Sequence, residues 1–200
     1  MRSFWSEPFL WIHLAGLAVV PLLLEIVWLG LAVGEPLSLY WLELGLIAFV
    51  GVTPIFWMQW HRPWSIFSLL FLALKPEVLT REQLCLLRLF KSPRIRLLSV
   101  IAAAVMSAAL WSIYQLAPLA AIAASVLPTV RILGLAIAIL AFFLANLFFQ
   151  VSLSVLVVLF TGEEKFATTE PYPIGEVAKD FTLLGFRLGK ILPSLTNPTG

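Results

Sequence analysis

Three charged side chains fall inside long apolar stretches of this sequence: Glu25, Glu43 and Arg131. A charge surrounded by lipid costs several kcal/mol, so such residues either pair with one another or carry a function. Glu25 and Glu43 flank the break Gly34-Glu35-Pro36, on two runs that can fold back on each other. Counted from that turn, they lie within about three residues of the same depth, roughly 5 Å. Arg131 enters the last apolar run at a depth close to that of Glu43. An ion pair between Arg131 and one glutamate would reduce the burial penalty of both. The functional alternatives are a proton or cation path, or a carboxylate ligand to a pigment magnesium.

Other residues invite similar weighing. His13, near one end of the first apolar run, carries an imidazole that could ligate chlorophyll magnesium or haem iron, or simply hydrogen-bond at the interface. Haem would want a second histidine at matched depth, and His61 lies in a loop. No cofactor is demanded by the sequence, chlorophyll or a carotenoid being the pigments such a helix could hold. Asn146, Gln150 and Ser154 recur every four residues and share one helix face. Such groups hydrogen-bond between membrane helices at roughly 1 kcal/mol each. They either pack within the chain or form an interaction face for a larger complex. Gly134/Ala138, Ala141/Ala145 and Ala104/Ala108 allow close backbone approach. There is no HExxH, GxSxG, P-loop, paired Asp cluster or Cys–His arrangement, and the expectation is that the chain is not an enzyme.

The elements that position these residues follow from composition. Of 200 residues, 61% are hydrophobic and 12% charged, and the mean hydropathy is +1.00. A soluble domain holds about 45–50% apolar and about 25% charged residues, so lipid must be the solvent. The net charge of +2 and the motifs present give no case for nucleic acid. One cysteine, Cys85, excludes an internal disulfide. The expected class is all-α, with four transmembrane helices over about Phe9–Val33, Leu37–Met58, Leu97–Ala117 and Val130–Phe160. Each has the ~20 residues needed to cross the hydrocarbon. The first is read as a retained helix, because a signal peptide has a shorter apolar core. The apolar connection Leu119–Leu127 is too short to cross and is expected at the interface.

Basic residues orient the bundle. Arg2, Arg62, Lys75, Arg81, Arg88, Lys91, Arg94, Arg96, Lys165, Lys179, Arg187 and Lys190 fall on one side, and Arg131 on the other. Excess Lys and Arg marks the cytoplasmic face, which places both termini there. Trp5, Trp11, Trp57, Trp60 and Trp64 fall near the inner boundary, and Trp28, Trp41 and Trp111 near the outer one, as indole rings prefer. The division is a four-span domain over 1–162, with a helical cytoplasmic loop at 59–96, and a cytoplasmic tail over 163–200.

Within the loop, Ser65–Leu74 is apolar but too short to span, and reads as interfacial or re-entrant. Thr80-Arg81-Glu82-Gln83 fits a capping box, predicting a helix from Arg81 to about Lys91 that lays its leucines on the membrane or on a partner. In the tail, Val177, Phe181, Leu184, Leu188 and Ile191 recur at helical spacing and predict an amphipathic helix over about 175–192. Phe181, Leu184 and Leu188 would form its apolar contact face. Gly185 and Gly189 weaken it by about 1 kcal/mol each relative to Ala, so it needs a surface to fold against.

Two stretches carry a resemblance: Ser6-Glu-Pro-Phe-Leu-Trp-Ile-His-Leu-Ala-Gly16, and Phe56-Trp-Met-Gln-Trp-His-Arg-Pro-Trp64 through Leu-Lys-Pro-Glu-Val-Leu-Thr80. They resemble the cyanobacterial low-complexity tail membrane proteins, over most of the chain. The residues after Pro193 form no extended low-complexity run, a departure from that pattern. The resemblance implies a thylakoid membrane and association with photosystem subunits, above all photosystem II assembly modules. It supplies no catalytic residues. The resulting expectation is a non-enzymatic accessory or assembly factor. A small ion or solute transporter using Glu25 and Glu43, and a chlorophyll- or carotenoid-binding subunit using His13, are the alternatives.

Overall fold

A computed structural model describes residues 3–126 and 128–192. Four of its helical segments are long and apolar enough to cross a membrane: Pro8–Ala32, Tyr40–His61, Pro93–Ala124 and Arg131–Leu159. The chain is an integral membrane protein.

The first segment is not one continuous α-helix. It comprises α1 (Pro8–Ala15), a 3-10 turn at Gly16–Ala18 and α2 (Val19–Ala32). Pro21 has no N–H to offer the Leu17 carbonyl, and the helix tightens into 3-10 geometry there. After the turn at Gly34 comes α3 (Tyr40–His61). The next run, expected to be interfacial or re-entrant, folds as a hairpin: β1 (Ser68–Leu69) pairs antiparallel with β2 (Leu72–Leu74). Next come α4 (Arg81–Phe90) and α5 (Pro93–Leu116). The expected capping box is present at the start of α4, where Gln83 N–H donates to Thr80 Oγ1 and Thr80 N–H to Gln83 Oε1. The span begun by α5 runs on through a 3-10 turn (Ala117–Ala120) into α6 (Ala121–Ala124).

The central element is α7 (Arg131–Leu159), against which α1, α2, α3 and α5 all pack. Backbones come closest where α2 crosses α7. A Cβ on Gly30 would stand 2.7 Å from the Gly134 carbonyl oxygen, and one on Gly134 would stand 2.5 Å from that of Gly30. Around this crossing Val27, Leu31, Ile47, Met106, Ala138, Phe142 and Ala145 make the intramembrane core.

The tail corrects a prediction. After α8 (Glu163–Ala167), the helix α9 covers only Ile174–Asp180, and Phe181 is already extended. Gly185 takes a φ of +88°, and Phe186–Leu188 form β3, parallel to β2 with Leu72 opposite Phe186. A Cβ on Gly185 would sit 1.8 Å from the Phe71 carbonyl oxygen, so the chain can pass there only as glycine. The helical periodicity beyond Asp180 loses to two glycines and to an open strand edge. Phe181 is fully buried, whereas Leu184 and Leu188 are exposed, so the three do not share one contact face.

Loop and tail thus close on each other at the basic end of the bundle. Phe4, Phe67, Leu86, Leu87, Ile95, Val177 and Phe181 form a second core there, continuous with Val155 and Val158 of α7. The α4 leucines are spent inside this core instead of on an outside surface.

Candidate functional site

Two polar constructions stand at opposite ends of the bundle: a clasp at the end farther from the basic loop, and a bolted platform at the basic end. The clasp is built on Arg131, the first residue of α7. Its Nε donates to Glu43 Oε1 at 2.7 Å and its Nη2 to Glu43 Oε2, a two-pronged pair. Its Nη1 donates to the Leu31 and Val33 carbonyls at 2.7 and 2.9 Å. These lie at the end of α2, where carbonyls have no helical N–H to receive. The Leu37 N–H donates to Glu43 Oε1 at 2.9 Å. Glu43 is 1% exposed, so the pair is a buried one, with its oxygens shared between the guanidinium and the backbone. Gly34, at φ +66°, lets the turn pass against Thr129 and Arg131.

Glu25 takes no part. It is exposed on α2 and has no hydrogen bond or ion pair among the described residues. A carboxylate pair formed by Glu25 and Glu43 is therefore not what the fold assembles.

Asn146, Gln150 and Ser154 face inward. Asn146 Nδ2 donates to the Gly51 carbonyl on α3 at 2.9 Å, Gln150 Nε2 to Asn146 Oδ1 at 3.2 Å, and Ser154 Oγ to the Gln150 carbonyl at 2.8 Å. All three are buried, which rules them out as an outward interaction face. Asn146 ties α7 to α3 near Pro54, a position that disturbs α3's own hydrogen bonding, whereas the Gln150 and Ser154 bonds stay within α7.

His13 is likewise occupied. Its Nε2 lies 2.8 Å from the Ile66 carbonyl oxygen, so that nitrogen carries the proton and donates. Ser152, which sequence reasoning passed over, donates to the His13 carbonyl at 2.7 Å. The imidazole ties α1 to the segment just before β1, and ligating a metal through Nε2 would break that tie. Beside it is an apolar cavity of about 230 Å³ lined by His13, Gly16, Trp64, Leu147, Phe148 and Val151. That is below the roughly 300–1,000 Å³ of usual small-molecule sites.

At the basic end, Lys91 Nζ stands 3.0 Å from Asp180 Oδ1 and 3.2 Å from the Tyr172 hydroxyl, which donates to Asp180 Oδ2. The Arg88 guanidinium lies over the Tyr172 ring at 4.9 Å. The Tyr172 hydroxyl, followed by Lys91, holds the Asp180 carboxyl below its ordinary range. Burial first, then the bond to Asp180, pushes the Tyr172 phenol up. Arg62 Nη2 reaches the Ala178 and Phe181 carbonyls, and Gln83 Nε2 donates to Glu7 Oε2 at 3.0 Å. Cys85 donates to the Thr169 carbonyl, and burial raises its thiol. Nothing in the spacing of Lys91, Tyr172 and Asp180 announces this cluster, since the residues come from separate elements without a shared period. Among the described residues no three His, Cys, Asp or Glu side chains converge as a metal site.

Comparison with known proteins places the chain. The family model described as low-complexity tail membrane protein-like matches residues 6–193. The chain belongs to this family. The match takes in all four spans, the clasp and the platform's Lys91, Tyr172 and Asp180, so this low-complexity tail membrane protein-like chain carries both polar constructions within its family region. No curated protein and no solved structure matches the chain.

Proposed function

We propose that the chain is a non-enzymatic accessory subunit or assembly factor of a larger photosynthetic membrane complex, with photosystem II assembly modules as its client. In this reading it sits in a thylakoid membrane with both termini and the platform on the cytoplasmic side. The observation that carries the proposal is the platform. Loop and tail are bolted into one surface, yet Leu70, Phe71, Leu72, Leu184 and Phe186 stand exposed along its strands. A rigid surface with an apolar edge suits docking. The basic residues around it, Lys75, Arg81, Arg94 and Arg187, support the cytoplasmic placement. The likeness of the stretches 6–16 and 56–80 to cyanobacterial thylakoid proteins supports the setting.

The test is purification of a tagged chain in mild detergent. Photosystem subunits should be recovered in stoichiometric amount, and replacing Phe71 and Phe186 with Ser should release them. A solitary protein in repeated preparations would overturn the reading.

A further inference from the structure

Glu25 is treated by this fold in the opposite way from Glu43. Glu43 is enclosed and receives two guanidinium bonds and a backbone N–H. Glu25 has no such partner among the described residues and points out of the bundle, with Leu22 59% and Ile26 41% exposed beside it. It stands seven residues before the end of α2 at Ala32, about 10 Å along the axis at 1.5 Å per residue. Trp28, whose indole bonds the Leu116 carbonyl, lies nearly one turn closer to that end. The carboxyl is thus inside the apolar span, and its exposure to lipid costs several kcal/mol.

We infer that the Leu22–Glu25–Ile26 face of α2 seats a transmembrane helix of a different protein, one presenting a Lys or Arg side chain to Glu25. Charge complementarity fixes the occupant. A second copy of this chain cannot supply the cation: on that half of the bundle the sequence offers only Arg131, whose Nε, Nη1 and Nη2 are all engaged by Glu43 and the α2 carbonyls. Lipid tails supply none. The opposite side of α2 is closed by α7 at the Gly30–Gly134 crossing, so the partner approaches from the Glu25 face.

The inference deepens the accessory-subunit reading and rests on it, and one experiment separates the two. A photo-crosslinking amino acid is placed at Leu22 in the full chain, in cells, with Glu25 retained or changed to Gln or Lys. Crosslinked peptides are identified by mass spectrometry, and photosystem subunits recovered with the tag are quantified in parallel. The expected adduct is a heterologous membrane helix with a Lys or Arg within one turn of the crosslink. Its yield should fall about tenfold or more in Glu25→Lys, as for a severed buried charge pair, and less in the isosteric Glu25→Gln. Changing the partner's basic residue to Glu should restore the adduct of Glu25→Lys. Adducts to lipid only, adducts between two copies, or a yield indifferent to both substitutions would overturn the inference. If photosystem subunits are still recovered in those cases, the accessory reading survives alone. A charge-swap rescue without photosystem subunits upholds the Glu25 face and overturns the choice of client.

Discussion

At the scale of single residues, the chain separates three intramembrane charges that look alike in sequence. Removing one member of a buried ion pair leaves the other uncompensated, at about 3–5 kcal/mol. Arg131→Gln or Glu43→Gln should therefore lower the thermal midpoint in detergent sharply. The double substitution should cost less than the two single losses added together, and strict additivity would count against a direct pair. Counting from the Gly34 turn was enough to bring Arg131 and Glu43 to one level, because depth along a helix is linear in residue number. It could not say which glutamate Arg131 would take. That choice depends on direction around the helix, and Glu25 lies two positions before buried Val27, about 200° around the axis. In a soluble helix a polar face would reveal such a direction. In lipid both faces are apolar, and α2 carries no stripe to read.

At the scale of elements, the bundle is held by close backbone approach as much as by polar ties. Gly30→Ala would force its Cβ against the Gly134 carbonyl, and overpacking of this kind costs about 1–3 kcal/mol. Gly45 has open space about its missing Cβ, so Gly45→Ala should be neutral or gain up to about 1 kcal/mol from helix propensity. Thermal unfolding of the two variants side by side checks the crossing, and equal midpoints would refute it. The four spans were legible because twenty consecutive apolar residues have few other uses. The tail helix was misread for a related reason. Val177, Phe181, Leu184, Leu188 and Ile191 keep helical spacing, but β2 offers an unpaired edge from a distant part of the sequence, and spacing within a segment is silent about that. Phe181, expected on an outward contact face, is instead buried inside the platform.

At the scale of the whole molecule, the platform should show a bounded pH range of integrity. Asp180 has its acid strength increased by folding, so its contribution is complete above the ordinary carboxyl value of about 3.9 and fades as pH falls toward its lowered value. Tyr172 is shifted the other way. Its contribution is complete below the ordinary phenol value of about 10 and fades as pH climbs toward its raised value. Amide-exchange protection factors in residues 174–182, with the intrinsic base-catalysed rate divided out, should be highest between those limits and lower beyond either, and Lys91→Met should lower them throughout. A flat profile would mean that Lys91, Tyr172 and Asp180 do not secure the tail. The parallel pairing of β3 with β2 has a bearing on biosynthesis. A ribosome releases the hairpin strand long before it releases Phe186, and α5 and α7 must be threaded into the bilayer in between. Throughout that interval one flank of β2 waits bare. Sealing it must await the emergence of α5 and α7, so the strand is completed only by a polypeptide that has already passed these four spans to the membrane.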